Sequence, residues 1–230
     1  MDKQLCASFS SSDTFHYERS LISAGYPLVA GLDEAGRGTL AGPVVAGCVI
    51  LPDSCEYTRF KDSKVLTAAK RESLYEYLHE CGASIGFAIV TPEEIDQVNI
   101  LQASLLAMAR AVAHLAGKEK KDPDFLLVDG KFTAPVELPQ KALIKGESKS
   151  ASIAAASIIA KVVRDQLMVD YHHEFPKYNF ARHKGYPTKE HRQALELHGP
   201  SPIHRKTFKG VREFYDDPGG ACAKDQKSLW

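Results

Sequence analysis

The sequence predicts a mixed α/β layer fold, and three observations carry that prediction. Short β-branched apolar runs recur at LVAGLD (28–33), VVAGCVIL (44–51), ASIGFAIV (83–90) and FLLVDG (125–130). Stretches with helical periodicity lie between and after them, the longest at 150–175. Glycine-rich bends and capping residues punctuate the two kinds of segment. Strands interleaved with helices in this way bury their apolar faces against one another in layers.

Residues 1–27 are Ser-rich, lack periodicity and are expected to form a flexible or loosely docked leader. The bend EAGRGTLAGP separates the first two strands. Residues 67–81 place Leu74, Leu78 and Cys81 on one helical face. Thr91, Pro92, Glu93 and Glu94 form a capping-box start with proline at the first helical position. A stripe of Leu101, Leu105, Met108, Val112 and Leu115 follows and ends at Gly117. KALIKG (141–146) repeats the strand-then-glycine form of FLLVDG. The helix at 150–175 is rich in small residues that suit close packing on a sheet. A polar loop, FPKYNFARHKGYP, a short helix, TKEHRQALELHG, and a last helical stretch, FKGVREFYDD, precede a tail at 217–230 expected to be flexible.

Composition narrows the functional classes. A chain of 230 residues can bury a core without disulfides or a structural metal. Its five cysteines (Cys6, Cys48, Cys55, Cys81 and Cys222) are odd in number and never form C-x-x-C, which argues against a disulfide framework or zinc site and for a reducing, cytoplasmic setting. The first 20 residues lack the apolar stretch of a signal peptide, and no run of about 18 apolar residues predicts a membrane span. Net charge is zero, yet Lys141 to Arg212 holds 14 Lys and Arg against 6 Asp and Glu. That local excess suits a phosphate-binding face and equally suits solvated helix surfaces.

Several residues could carry chemistry. Asp33 and Glu34 end an apolar strand; neighbouring carboxylates repel unless a cation lies between them, and both reach one centre only where a strand ends or bulges. Asp129 ends a second strand beside a glycine, and acids at neighbouring strand tips suit a hard divalent ion, although Asp-Gly is also an ordinary turn. Glu147 stands in KGES ahead of the long helix, where it fits a third strand-tip ligand or a helix-dipole partner. Asp165, the rival fourth acid, is expected to pair with Arg164 or another base. Gly36, Arg37 and Gly38 match neither a Walker loop nor a dinucleotide loop, but their amides and guanidinium could hold a phosphate or ribose hydroxyl. Lys64 and Lys161 could contact phosphate. Tyr178, His183, Lys184 and Tyr186 interleave aromatic and basic character, which suits stacking on a sugar or base, and His204, Arg205 and Lys206 form a further basic cluster.

Taken together, LVAGLDEAGRGTLAGPVVAGCVIL, KDSKVL, LLVDG, KGESKSASIAAASIIAKVVRD, FARHKGYPTKEH and HGPSPIHRKTF resemble ribonuclease HII in the same order, from about residue 28 to 212. The resemblance implies an RNase H-like fold: a central mixed sheet flanked by helices (28–175) with a C-terminal helical substrate-binding part (176–216). It implies Asp33, Glu34 and Asp129 as metal ligands and Glu147 as the fourth catalytic acid, where the family usually has aspartate. Gly36-Arg37-Gly38 is similar to the motif that senses a ribonucleotide 2′-hydroxyl, and Tyr186 to the tyrosine that packs on the following deoxyribose. Arginine between the glycines separates the chain from the sister type, ribonuclease HIII. The implied activity is endonucleolytic cutting of RNA–DNA hybrids and of duplex DNA 5′ to embedded ribonucleotides. Two Mg²⁺ or Mn²⁺ ions roughly 3.5–4 Å apart would activate water and stabilise the leaving oxygen. A monomer with no membrane partner is expected. A non-catalytic hybrid-binding module is the competing class.

Overall fold

The computed structural model describes residues 13–60, 66–120 and 122–216. Among these the elements run α1 (His16–Ser23), β1 (Val29–Ala35), β2 (Val44–Ile50), α2 (Ala68–Glu80), β3 (Ser84–Val90), α3 (Pro92–Val98), α4 (Ile100–Glu119), β4 (Phe125–Asp129), β5 (Gln140–Leu143), α5 (Ala151–Glu174), α6 (Phe180–His183), α7 (Lys189–His198) and α8 (Glu213–Asp216). The strands form one mixed sheet in the order β3-β2-β1-β4-β5, antiparallel across β3, β2 and β1 and parallel across β1, β4 and β5.

Glycines in the central strands decide how close the helices come. A Cβ on Gly31 would lie 2.1 Å from the Ser152 carbonyl carbon, and one on Gly47 would lie 2.4 Å from the Ala156 oxygen. Backbone rests directly on backbone there, and the alanines of α5 (Ala151, Ala154, Ala155, Ala156) complete the contact. On the opposite face α4 packs against β1, β2 and β3 around Ala30, Leu32, Val44, Cys48, Met108 and Leu115. α2 closes the α5 side with Leu74 and Leu78, as their helical spacing predicts.

Two local differences from the sequence expectation have physical causes. The capping box at Thr91 and Glu94 forms, but the helix it opens stops at Val98. Asn99 adopts φ 72° and its Oδ1 accepts the amides of Leu101 and Gln102, which restarts the chain as α4. Within α4 the deepest face is Ala103, Ala107 and Ala111 beside Met108, Val112 and Leu115, with Leu101 and Leu105 half-buried. A Cβ at Gly86 would lie 2.4 Å from the Ala111 oxygen, so small residues win nearest the sheet. By length and composition α4 is apolar enough to cross a membrane; its apolar face is taken up by the sheet.

Residues 13–27 of the expected leader are firmly docked. Glu18 of α1 is buried, and its Oε1 accepts from Ser150 Oγ, Ser152 Oγ and the Ser152 amide at 2.6–3.0 Å. An acid at the start of a long helix is stabilised by the unpaired amides and dipole there. Residues 1–12 and the expected tail at 217–230 lie outside the described residues. The last helical stretch is shorter than its periodicity predicts, only Glu213–Asp216. Cys48, Cys55 and Cys81 are free thiols.

Candidate active site

Asp33, Asp129 and Glu147 each offer a carboxylate oxygen, and the three oxygens lie within 4.8 Å of one another. Strand register brings the first two together. Leu32 pairs with Val128, so Asp33 and Asp129 leave adjacent parallel strands side by side. β5 adds the third: Leu143 pairs with Asp129, and the chain then turns through Lys145 (φ 56°) into a 3-10 turn, Gly146–Ser148, that carries Glu147. The Gly146 amide donates to Asp129 Oδ1 at 2.6 Å and ties the turn to the strand tip.

Glu34 takes a different direction from Asp33. β1 continues through Ala35 without a bulge, so the two side chains leave opposite faces of the strand. Asp33 shares the α5 face with Gly31 and joins the cluster. Glu34 also lines the cavity, with Oε1 3.3 Å from Arg37 Nη1. Burial raises the Asp33 pKa well above the carboxylate range, and the charges of Glu34, Glu147 and Asp129 push it the same way. Mutually repelling carboxylates held together in a fold are stabilised by a cation between them. An all-oxygen set fits a hard divalent ion such as Mg²⁺ or Mn²⁺.

The acids open into a cavity of about 220 Å³ whose other walls include Gly36, Arg37, Gly38, Ser157, Lys161 and Tyr186. Of the residues singled out for substrate contact, the structure therefore gathers five around the carboxylates. Lys64 lies outside the described residues. Lys184 does not line the cavity: its ammonium donates to the Ala181 oxygen at 2.6 Å. Asp165 pairs with Lys161 at 2.7 Å and with Arg71 at 4.0 Å rather than with Arg164.

Two arginines that sequence reasoning placed elsewhere hold the glycine loop. Arg164 is buried and donates to the oxygens of Pro43, Ala41 and Lys184 and to Thr39 Oγ1 at 2.9–3.2 Å. Arg205, expected in a basic cluster suited to substrate contact, is instead fully buried and donates to the oxygens of Gly36, Arg37 and Gly42 at 2.6–3.1 Å. Among the described residues no carboxylate forms an ion pair with either. Burial and the neighbouring Arg164 charge lower the Arg205 pKa to about 9, so it remains a cation at neutral pH. Gly36 has φ 101°, and a Cβ there would lie 2.2 Å from Arg164 Nε; a Cβ on Gly38 meets nothing within 4 Å. The fold demands the first glycine and leaves open space beside the second.

Of the aromatic and basic loop, Tyr178 and His183 are buried and only Tyr186 faces the cavity. His183 stacks on His191 at 4.3 Å between centroids, and His191 Nε2 lies 2.9 Å from His204 Nε2. Burial drives all three histidines toward the neutral form, lowering the pKa of His191 to about 4 and that of His204 to about 3.

With this geometry in hand, comparison with known proteins is decisive. A family model described as Ribonuclease HII matches residues 30–211. Ribonuclease HII of Desulfotalea psychrophila is 55% identical over 204 residues, which cover 89% of this chain and 90% of that one. The Geobacter metallireducens protein of the same name is 51% identical over 197 residues, 86% and 91% of the two chains. Among solved structures, the ribonuclease H2 from Pyrococcus horikoshii OT3 superposes with a TM-score of 0.66 at 27% identity, over 82% of this chain and 97% of that one. The strand-tip acids, the glycine-arginine-glycine loop and these relationships agree: the chain belongs to the ribonuclease HII family.

Proposed function

We propose that the cavity at Asp33, Asp129 and Glu147 is where this endoribonuclease of RNA–DNA hybrids hydrolyses its phosphodiester, and that it also cuts duplex DNA 5′ to a single embedded ribonucleotide. The observation that carries the proposal is the convergence of three carboxylates and the Gly36–Gly38 loop on one cavity. Asp33, Asp129 and Glu147 would hold the metal, with Glu34, which lines the same cavity, joining them. Divalent ions bound there, Mg²⁺ or Mn²⁺, would neutralise phosphate charge, activate water and stabilise the leaving 3′-oxygen.

The protein's own groups select and orient the strand. Arg205 takes the Gly36 and Arg37 carbonyls inward. In trans peptides the amides of Arg37 and Gly38 then point the opposite way, out of the fold, as donors for a ribose hydroxyl or phosphate. Tyr186, 42% exposed, offers a ring face to the next deoxyribose, and Lys161 Nζ stands 5.7 Å from that ring beside the phosphate path. We assign the C-terminal part, 176–216, to this recognition. The free thiols of Cys48, Cys55 and Cys81 support action in the reducing cytoplasm, and we also propose that the protein acts as a monomer.

The open space at Gly38 supplies a specific expectation. Gly38→Ala should leave the unfolding temperature within about 2–4 °C of the parent, a change of ~1 kcal/mol or less. It should also raise KM for a single-ribonucleotide duplex about 10-fold, because the added methyl occupies substrate space. Melting curves and steady-state kinetics check both halves.

The functional proposal is tested with end-labelled duplexes that are all-DNA, carry one ribonucleotide, or are full hybrids, each with Mg²⁺, Mn²⁺ or EDTA. Cutting of the second and third but not the first, lost in EDTA, is expected. Cutting of the hybrid alone would remove the embedded-ribonucleotide activity. Hybrid binding without cutting would make the chain a binding module.

A further inference from the structure

A chain of hydrogen bonds runs from the protein interior to the residue that faces the substrate, and its direction can be read atom by atom. The Ser201 amide lies 2.9 Å from His204 Nδ1, and an amide can only donate, so that nitrogen is bare. Neutral His204 therefore carries its proton on Nε2. At the other end His191 Nδ1 lies 2.9 Å from the Tyr186 carbonyl, which can only accept, so Nδ1 carries the His191 proton. The remaining contact, 2.9 Å between the two Nε2 atoms, then has one donor and one acceptor: His204 Nε2–H to bare His191 Nε2. Each proton position follows from a backbone group, and both rings are neutral in one tautomer. His183 reinforces the same loop by accepting the Gly185 amide on Nδ1, donating from Nε2 to the Tyr178 carbonyl, and receiving the Tyr186 amide on its own carbonyl.

We propose that His191 and His204 are positioning residues for Tyr186: the directed chain Ser201–His204–His191–Tyr186 fixes the backbone that presents the tyrosine ring at the cavity rim, and so sets the preference for a ribonucleotide followed by deoxyribose. The inference rests on the reading of Tyr186 given above. Neither histidine lines the cavity, whereas Tyr186 does. The only described donors to the Tyr186 carbonyl are the His191 ring and the Thr188 amide, and Thr188 lies on the same short loop. Arg192 Nε holds the Pro187 carbonyl and the Leu40 amide holds that of Gly185; the His191 ring is the side-chain link that ties the Tyr186 carbonyl itself to α7.

The test is the ratio of kcat/KM on a single-ribonucleotide duplex to that on a full hybrid, which has no deoxyribose in the cut strand. His191→Leu removes the donor and is expected to lower the ratio about 10-fold. His191→Asn keeps an amide donor near the Nδ1 position and should restore most of it. His204→Asn keeps an acceptor for the Ser201 amide but loses the donor to His191, and should lower the ratio about 3-fold; it serves if the leucine variant does not fold. In a Tyr186→Ala background, His191→Leu should change the ratio no further, because two residues acting through one ring are non-additive. Equal loss on both substrates, or losses that simply add in the double variant, would overturn the inference in favour of a purely structural role. A ratio unchanged by Tyr186→Ala itself would overturn the reading of Tyr186 and the inference with it. A ratio lowered by Tyr186→Ala but not by either histidine variant would overturn the histidine chain alone.

Discussion

Asp33→Asn is expected to abolish cutting and at the same time make the metal-free protein more stable. The carboxylate is buried beside Asp129 and Glu147, and its pKa is raised by burial and by those charges. A carboxyl whose folded pKa lies above its unfolded value contributes stability below the unfolded value, and that stability is lost as pH rises through the folded one. At neutral pH without metal, Asp33 is therefore a source of strain, and the amide removes it. The Asn oxygen can still accept the Glu34 amide that now bonds Asp33 Oδ1 at 2.7 Å, so the strand end keeps its geometry. In the absence of metal the variant should unfold several degrees higher, on a scale where 1 kcal/mol is about 2–4 °C for a chain of this size. Mn²⁺ should then raise its unfolding temperature less than that of the parent. Activity should fall about a thousandfold or more, equivalent to ~4 kcal/mol of barrier. Melting curves with and without Mn²⁺, beside hybrid cleavage rates, measure all three; a variant that is both inactive and less stable would show that Asp33 holds the fold rather than a cation.

Arg205→Met carries the second large effect, and it acts through the loop that lines the cavity, since Arg205 does not line the cavity itself. The guanidinium takes the buried Gly36 and Gly42 carbonyls, the first shared with Thr39 Oγ1, and the part-buried Arg37 carbonyl. Methionine fills much of the volume and restores none of these bonds. An unsatisfied buried carbonyl costs roughly 1–3 kcal/mol, so a loss on the order of 3 kcal/mol is expected. That corresponds to a fall of roughly 6–12 °C in unfolding temperature. Where the variant remains folded, the Arg37 and Gly38 amides lose their outward orientation, and KM should rise more than kcat falls. Arg205→Lys should not rescue, because one ammonium cannot span carbonyls arranged for a planar fork. Full activity in either variant would detach the buried arginine from the loop.

Much of the site was legible because strand ends are marked locally. Asp33 closes an apolar run ahead of Gly36-Arg37-Gly38, Asp129 closes one beside Gly130, and the parallel pairing of β1 and β4 carries both to one place. Glu147 follows a third such run and joins the cluster. What was hidden depends on partners remote in sequence. Whether Glu34 joins Asp33 turns on β1 running on through Ala35, which no local pattern reveals. Arg164 and Arg205 look like surface bases until the carbonyls that surround them are known, and the polar ring of His204 is buried for the same reason. Ser157 lines the cavity although the sequence does not single it out as a candidate site residue. A signal for it exists: Ser157, Lys161 and Arg164 recur at i, i+4 and i+7 within the mostly apolar first half of α5, a polar stripe that faces the cavity and its loop. The break at Asn99 was masked by the uninterrupted apolar periodicity that runs across it.

The most direct test of the central claim is to map the cut and the chemical ends it leaves on a duplex carrying one ribonucleotide. The account predicts a break on the 5′ side of the ribonucleotide, leaving a 3′-hydroxyl upstream and a 5′-phosphate on the ribonucleotide, with no product in EDTA. A 2′,3′-cyclic phosphate, or cutting that survives EDTA, would mean that the ribose hydroxyl is the nucleophile and that the carboxylate cluster does not serve a metal.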